Sequence, residues 1–326
     1  MHLCLWRREL ECAWRALTPA APKSIRRSFV VKVKFLTLVI LALASAGCGG
    51  GPTAKPAHQV VPSRALAAHI FLVVEENQSY STVYHNKMPW LSALGDKYGI
   101  ATNYYSDESG SLLDYLWLSS GSGELAFGCS GNDCTEAITD DNVFRQVIKA
   151  GKSWKVYADS LPNAGFMGAK AGNYVKRHNP AVWYSDVVND SSQQQNVVPF
   201  TQFAADLASD TLPDFALIVP DLQHDAHNGT PQMADQWLQH NIGPLVSSKH
   251  FRPGGTSVMF ITFDNGDHDA QGKVLTVVVG AKVIPGIKVG AHFRHENTLR
   301  TIMEQLQITD YPGASADVGP MSQFFQ

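Results

Sequence analysis

The sequence predicts an α/β fold in which a mostly parallel central sheet carries helices on both faces. Short apolar runs rich in β-branched residues alternate along the chain with amphipathic stretches of helical period. Runs that are apolar throughout are typical of strands buried on both faces, as in parallel sheets covered by helices. The 326 residues suffice for one large domain of this kind or two small ones.

The predicted elements begin after residue 67 and continue to the last quarter of the chain. Strands are predicted at residues 70–74, 101–105, 154–158, 215–219, 257–263 and 274–279. Helices are predicted at residues 88–98, 112–119, 141–150, 201–208, 234–239 and 296–306. We therefore expect a folded domain over residues 68–326.

The N-terminal region has the pattern of an export signal. Four basic residues between positions 26 and 34 precede an apolar run at 35–46, which is too short to span a bilayer. The run leads to Cys48, which indicates a bacterial lipoprotein signal with Cys48 as the lipid-bearing residue; a plain secretory signal is the alternative. We expect residues 1–47 to be a pre-region and signal peptide, residues 48–67 to be a flexible tether, and the protein to be an exported envelope lipoprotein or otherwise secreted.

Charge and cysteine content restrict the partners and the compartment. With 26 Lys and Arg against 29 Asp and Glu, the chain has no polybasic character, so nucleic acid is not an expected partner. A small molecule or a lipid head group is expected instead. Cys129 and Cys134 enclose a short polar loop, where an oxidising compartment would favour a local disulfide; two free thiols are the alternative.

Polar side chains directly follow several of the predicted strands. Glu76 and Asn77 follow the first strand, and Asp264 follows a late one. Because the carboxyl ends of strands in an open α/β sheet converge on one edge, these side chains should lie close together. Their oxygens are hard ligands for a divalent cation. A single acidic residue after a strand more often caps a helix or closes a turn, so the prediction rests on the group.

Five short polar motifs are spaced along the predicted domain. They are Glu76-Asn77-Gln78-Ser79-Tyr80, Ser111-Leu112-Leu113-Asp114-Tyr115-Leu116, Arg177-His178-Asn179-Pro180, the stretch 219–229 with 234–238, and Ile261-Thr262-Phe263-Asp264. In order and residue type they resemble the bacterial phosphoesterase family that holds phospholipases C and certain acid phosphatases, over about residues 70–306. The resemblance implies an alkaline-phosphatase-like fold, a divalent metal ion of unknown identity, and a phosphoester or phospholipid head group as substrate.

The resemblance also implies roles for individual residues. Ser111 would be the nucleophile at the start of a helix, where N–H groups and the helix dipole stabilise an alkoxide; an N-cap serine is the simpler alternative. Asp225 and His227 would bind metal, orient the phosphate or protonate the leaving oxygen. The residues expected to contact the substrate phosphate are Arg177, His178 and His295.

One departure from the family concerns the predicted cation site. Asn265 stands where relatives carry a second acid; its amide oxygen would still assist coordination, but the site has one negative charge less. Asp267 or His268 would be the nearest substitutes, and Lys273 stands where a histidine is expected. The departure leaves open a second interpretation, in which a catalytically impaired envelope lipoprotein binds a phosphorylated ligand on the same fold.

Overall fold

The structure, a computed structural model, describes residues 67–326 apart from 124–127, 131, 267, 268 and 270. These residues belong to one compact unit. The predicted signal peptide, the tether as far as residue 66, Asp267 and His268 lie outside the described residues. Among the helices that are described, none combines the length and the apolar character needed to cross a bilayer.

The centre of the fold is an eight-stranded sheet. Its strands are β1 (Ile70–Glu75), β2 (Gly99–Tyr105), β3 (Trp154–Ala158), β4 (Val197–Pro199), β5 (Phe215–Val219), β6 (Val258–Phe263), β7 (Lys273–Gly280) and β8 (Ile287–Val289). They lie in the order β8-β2-β7-β6-β1-β5-β3-β4. Five of the seven neighbouring pairs are parallel, and only the two pairs that β7 makes are antiparallel, which confirms a mostly parallel sheet.

Helices cover both faces of this sheet. The longer ones in the described part of the chain are α1 (Pro89–Lys97), α2 (Ser111–Ser120), α3 (Val143–Lys149), α4 (Thr201–Ser209), α5 (Pro231–Asn241) and α6 (His295–Gln305). On β1, Leu72 and Val74 point toward α2 and α3, where they line a small apolar cavity with residues of both helices. Phe71 points the other way and packs against Phe203 of α4. Because successive strand residues face opposite sides, the expectation of helices on both faces is confirmed.

Short elements complete the described chain. The helical ones are Tyr80–Thr82, the π-helical turn Val83–Lys87, Lys176–His178, Pro180–Trp183, Ser185–Val188, Ser191–Gln194, Gly243–Val246, Gly313–Ala316 and Ser322–Phe324. Two small hairpins pair Cys129–Ser130 with Asp133–Cys134 and Lys170–Ala171 with Tyr174–Val175. Cys129 and Cys134 form a disulfide, so the two-free-thiol alternative is wrong.

Strand direction brings the polar residues to one edge. β1, β5 and β6 run in the same direction, and β2 shares it because β2 and β6 are both antiparallel to β7. The segments that follow these four strands therefore emerge at the same edge of the sheet. β7 runs the opposite way, so it is its first residue, Lys273, that lies there.

Candidate active site

Glu76 lies at the centre of a polar cluster at this edge. It is the first residue after β1, it has no exposed surface, and its backbone N–H donates to the carbonyl of Asp225 over 2.8 Å. Its Oε2 accepts hydrogen bonds from Ser111 Oγ and from Asn77 Nδ2, each at 2.8 Å. One carboxylate oxygen thus connects the candidate nucleophile to a predicted cation ligand.

Ser111 is the first residue of α2, and its side chain does not cap the helix. The N-cap position is Gly110, whose φ of +144° is a conformation that L side chains rarely adopt. The Ser111 hydroxyl donates to Glu76 rather than accepting from the backbone of the first turn. The N-cap alternative is therefore wrong. The hydroxyl lies at the positive end of a ten-residue helix, where partial positive charge stabilises an anionic oxygen.

Asp264 follows β6 and is held by the two asparagines of the predicted cation site. Its Oδ1 accepts from the backbone N–H groups of Asn77 (2.8 Å) and Asn265 (2.6 Å), and its Oδ2 accepts from Asn265 Nδ2 (3.0 Å). Asn77 has a φ of +51°, a left-handed conformation that asparagine tolerates better than most residues. The structure therefore brings Glu76, Asn77, Asp264 and Asn265 together.

Three acidic side chains of the cluster repel one another in a buried environment. Glu76, Asp225 and Asp264 have no exposed surface. Burial raises the pKa of Glu76 well above its ordinary value, and the carboxylates of Asp264 and Asp225 raise it further. Burial likewise raises the pKa of Asp225, and it raises that of Asp264 to about 7 with help from Asp114. A cation beside these three groups would stabilise their ionised forms.

The residues present fit a divalent cation. Their donors are carboxylate and amide oxygens, the ligands that hard divalent ions prefer. The second oxygen of Glu76, Oε1, is buried and accepts no hydrogen bond from the described protein. When bound, a divalent ion would neutralise the carboxylates and favour the anionic form of a neighbouring hydroxyl. The ligands we expect are Glu76, Asn77 and Asp264, with Asn265 beside them.

His178 is buried between two carboxylates. Its Nδ1 lies 3.0 Å from Asp225 Oδ2, and its Nε2 lies 3.1 Å from Glu76 Oε1 without the alignment of a hydrogen bond. The ring stacks on Tyr115 of α2, with centroids 5.6 Å apart and planes 8° from parallel. Burial lowers the pKa of His178 well below its ordinary value, and the charge of Arg177 lowers it further. Both ring nitrogens are thus directed at protein carboxylates rather than at the open side, where the predicted phosphate contact would be made.

Arg177 and His227 lie on the open side of the cluster. Arg177 is half-buried, and its Nη2 donates to Nε2 of the exposed His227 over 3.2 Å. The His227 backbone N–H donates to Asp225 Oδ1 over 2.8 Å. This hydrogen bond holds the loop after β5 against the buried carboxylate of Asp225. A guanidinium and an imidazole facing solvent beside buried carboxylates are suited to receive a phosphate group.

His295, the first residue of α6, lies behind Asp264. It has no exposed surface; its Nε2 donates to the Asp264 carbonyl (2.7 Å), and its Nδ1 lies 3.1 Å from the Tyr104 hydroxyl. Burial by itself would lower the pKa of His295, but Asp114, 3.5 Å away, raises it to about 9. With both ring nitrogens engaged inside the protein, His295 is arranged to hold Asp264 rather than to touch substrate as the sequence suggested.

Two buried acids near the site carry no role in the sequence-based prediction. Asp114 has no exposed surface and accepts the backbone N–H groups of Asp107 and Glu108 at 3.0 Å each, so it fixes the segment between β2 and α2. Its signal in the sequence is its position three residues after Ser111, on the same face of the helix. Glu75 ends β1; both its carboxylate oxygens are buried without a hydrogen bond, and burial raises its pKa well above the ordinary value. The signal for Glu75 in the sequence is that an acidic residue ends an apolar run.

A separate acidic group lies after the neighbouring strands β3 and β5. His224 Nδ1 is 2.7 Å from Asp159 Oδ2 and 3.0 Å from Asp221 Oδ1. Asp221 also accepts from Ser160 and from the backbone N–H groups of Gln223 and His224, so its oxygens are already hydrogen-bonded. His224, for which the sequence assigned no role, joins this group rather than the cluster around Glu76.

Comparisons with known proteins agree with the geometry. A model of the Phosphoesterase family matches residues 68–309. Phosphatidylinositol-3-phosphatase of Mycobacterium tuberculosis is 27% identical, over 89% of this chain and 96% of its own length. A probable acid phosphatase of Kluyveromyces lactis is 25% identical, over 77% of this chain and 64% of its own length.

Solved structures share the fold at low sequence identity. A protein of the alkaline phosphatase superfamily from Vibrio parahaemolyticus superposes with a TM-score of 0.51 at 10% identity, over 75% of this chain and 67% of its own. The lipoteichoic acid synthase LtaP from Listeria monocytogenes superposes with a TM-score of 0.54 at 11% identity, over 76% and 74% of the two chains. The architecture is therefore alkaline-phosphatase-like, as expected.

Proposed function

Because the chain belongs to the Phosphoesterase family and is a hydrolase of phosphoric ester bonds, we propose that it is a metal-dependent phosphomonoesterase with Ser111 as its nucleophile. The observation that carries this proposal is the 2.8 Å hydrogen bond from the Ser111 hydroxyl to Glu76, inside a cluster of buried carboxylates suited to a divalent cation. Named phosphatases among the relatives support a monoester substrate.

The reaction begins with attack by Ser111 Oγ on phosphorus, in line with the bond to the leaving alcohol. Glu76 Oε2 already accepts the hydroxyl hydrogen and is the group in position to take the proton as the oxygen–phosphorus bond forms. The bond to the leaving oxygen breaks, and His227 on the open side can supply the proton that the alcohol needs. Arg177 beside it neutralises the phosphate oxygens. Water then attacks the phosphoserine and gives a proton to His227, and Glu76 returns its proton to Ser111 Oγ as the bond to phosphorus breaks and inorganic phosphate is released.

The nucleophile is tested by trapping. With ³²P-labelled monoester in the presence of Mg²⁺, Mn²⁺ or Ca²⁺, acid quenching should leave label on Ser111 that peptide mass spectrometry locates. Ser111→Ala should lose both the label and at least ~10³-fold in kcat. Ser119→Ala is the matched control, because Ser119 lies at the far end of the same helix and bonds to the Tyr115 carbonyl. Label on another residue, or turnover retained in Ser111→Ala, would exclude the mechanism.

We also propose that the substrate includes phosphorylated lipid head groups and that the protein is exported and anchored through Cys48. The name of the mycobacterial relative supports a lipid substrate, and the Cys129–Cys134 disulfide supports an oxidising compartment. Phosphate release from a phosphoinositide in vesicles, compared with release from a soluble sugar phosphate, tests the substrate. Metabolic labelling with a fatty acid, lost in Cys48→Ala, tests the anchor; an unlabelled protein in the medium would show plain secretion instead.

A further inference from the structure

Lys273 lies at the edge of the sheet that carries the candidate site, on the opposite side of the acidic cluster from Arg177 and His227. It is the first residue of β7, two strands from β1 on one side, whereas His227 lies in the loop after β5 on the other side. Its backbone lies against the residue after Asn265, because a Cβ atom on Gly266 would be 2.9 Å from the Lys273 carbonyl oxygen. The candidate site therefore has basic side chains on two flanks.

The ammonium group of Lys273 lies over an aromatic ring rather than beside a carboxylate. Its Nζ is 4.8 Å from the centroid of the Tyr80 ring, which is a cation–π contact. Within the described part of the chain, no acidic side chain forms an ion pair with this nitrogen. Lys288, which also lies over a tyrosine, is in contrast 3.3 Å from Asp96. Because an ammonium has three N–H donors, Lys273 keeps donors for a ligand.

Further aromatic side chains extend this surface. In the ladder between β7 and β2, Lys273 is paired with Tyr105, so the two side chains face the same side of the sheet. The Tyr105 ring stacks on the exposed ring of His292, with centroids 5.0 Å apart and planes 27° from parallel. Tyr80, Lys273, Tyr105 and His292 thus form an aromatic–lysine strip. Its ring faces can pack against the C–H groups of a sugar or polyol ring, and its ammonium can pair with an anion.

The direction of these side chains separates the strip from the position of the reacting phosphate. Tyr104 points toward α6, where its hydroxyl contacts Thr298, and α6 packs beside α2, the helix of Ser111. Since successive strand residues alternate, Tyr105 and its partner Lys273 point to the other face of the sheet. Neighbouring strands lie ~4.8 Å apart, so β7 is two spacings from β1, or roughly 10 Å. This separation fits two phosphate groups attached to one sugar-sized molecule.

We propose that Tyr80 and Lys273 bind a second phosphate group of the substrate, which stays on the leaving alcohol while the first phosphate is transferred to Ser111. The inference rests on the proposed function and deepens it, because it names the substrate class: a sugar or polyol with two phosphate groups, one of them the monoester that is hydrolysed. The second group is a monoester in a soluble bisphosphate and a phosphodiester in a phosphoinositide head group. Both sources present the same kind of anion to Lys273.

Binding to a protein that cannot turn over tests this subsite. The parent is the full chain with Ser111→Ala, titrated by calorimetry in Mg²⁺ with fructose 1,6-bisphosphate and with fructose 6-phosphate. It should bind the bisphosphate at least ~10-fold more tightly, and adding Lys273→Met should remove this preference, because charge-assisted hydrogen bonds are lost. Lys273→Arg keeps the charge and should retain the preference. Lys288→Met is the matched control and should also retain it, since Lys288 lies over Tyr84 instead.

Two further comparisons test the ring and the source of the anion. Tyr80→Phe keeps an aromatic face and should retain the preference for the bisphosphate, whereas Tyr80→Leu should reduce it about 3-fold. For the lipid source, the parent is sedimented with phosphatidylcholine vesicles that contain either phosphatidylinositol 3-phosphate or phosphatidic acid, which has no second phosphate. Lys273→Met should weaken binding to the first vesicles and leave binding to the second unchanged. A Lys273-dependent preference in only one of the two arms supports the subsite and identifies the source.

Three results would overturn the subsite. They are the absence of any preference for the second phosphate in both arms, a preference that survives Lys273→Met, and an equal weakening of both sugars by Lys273→Met, in which case Lys273 would only offset the acidic cluster. Trapping on Ser111 is scored separately. Phosphoserine without a Lys273-dependent preference refutes only the subsite, and a Lys273-dependent preference without phosphoserine refutes only the nucleophile.

Discussion

Removing the divalent ion should make the stability of this protein fall as the pH rises from about 4 to about 7. A carboxyl group whose pKa is raised by folding keeps its proton in the native state after the unfolded chain has lost it. The native state is then favoured at low pH, and the advantage disappears as the pH rises through the folded pKa. Asp264, whose pKa is raised from 3.8 to about 7, is the group for which the size can be worked out.

The change from 3.8 to about 7 corresponds to about 4 kcal/mol in the free energy of unfolding. Glu76 and Asp225 are raised in the same direction and add to the slope. With saturating divalent ion the slope should largely vanish, because the ion rather than a proton then compensates the carboxylates.

The assay is urea unfolding followed by tryptophan fluorescence at half-unit steps of pH, in EDTA and in divalent ion. Since other groups also titrate, the quantity to compare is the wild-type value minus the Asp264→Asn value. In EDTA this difference should fall by about 3 kcal/mol between pH 4 and pH 7, which is most of the full change. A difference that stays constant or rises would refute the account of the buried cluster, and an equal fall with ion present would refute the cation site.

Three further predictions concern other parts of the molecule. Asp206 accepts from Lys155 and Tyr157 at 2.5 and 2.6 Å, so Asp206→Ala should lower the free energy of unfolding by ~2 kcal/mol or more, and an unchanged urea midpoint would contradict this. Ala226 has a φ of +73°, a conformation that glycine adopts without the steric cost of a Cβ atom. Ala226→Gly should therefore raise the free energy of unfolding by up to ~1 kcal/mol in the same assay. A decrease would show that the backbone at Ala226 is unstrained. His295→Asn should weaken divalent ion binding by ~10-fold in calorimetry. His295→Gln should weaken it less, because its longer side chain can still donate to the Asp264 carbonyl. Equal losses of affinity in the two variants would argue for a purely structural histidine.

The main elements of the fold were predictable because the strands are apolar on both faces. Each of the six predicted strands and six predicted helices is present, with ends that differ by three residues or fewer. β4 and β8 were not predicted, because three residues are too few to show a period. The direction of β7, antiparallel to its two neighbours, could not be predicted either, because an apolar run does not indicate in which direction a strand runs in the sheet.

The grouping of the candidate site was predictable, but the orientation of its side chains was not. Glu76, Asn77 and Asp264 follow buried strands, and strand ends converge at one edge. His178 and His295 were expected at the phosphate, yet their ring nitrogens meet carboxylates and a backbone carbonyl from distant parts of the chain. A motif fixes which residues approach the site, and only the packing decides which of their atoms face it.

The antiparallel pairing of β6 with β7 has a consequence for how this protein can change. The connection from Phe263 to Lys273 starts and ends at the edge of the sheet that carries the candidate site. Parallel neighbouring strands, in contrast, are joined by crossovers that run from one edge of the sheet to the other. Lengthening such a return loop adds only a modest closure entropy and does not alter the central sheet or the helices packed on it. Insertions in this hairpin loop can therefore change the substrate range while the residues of the candidate site on the neighbouring strands stay in place.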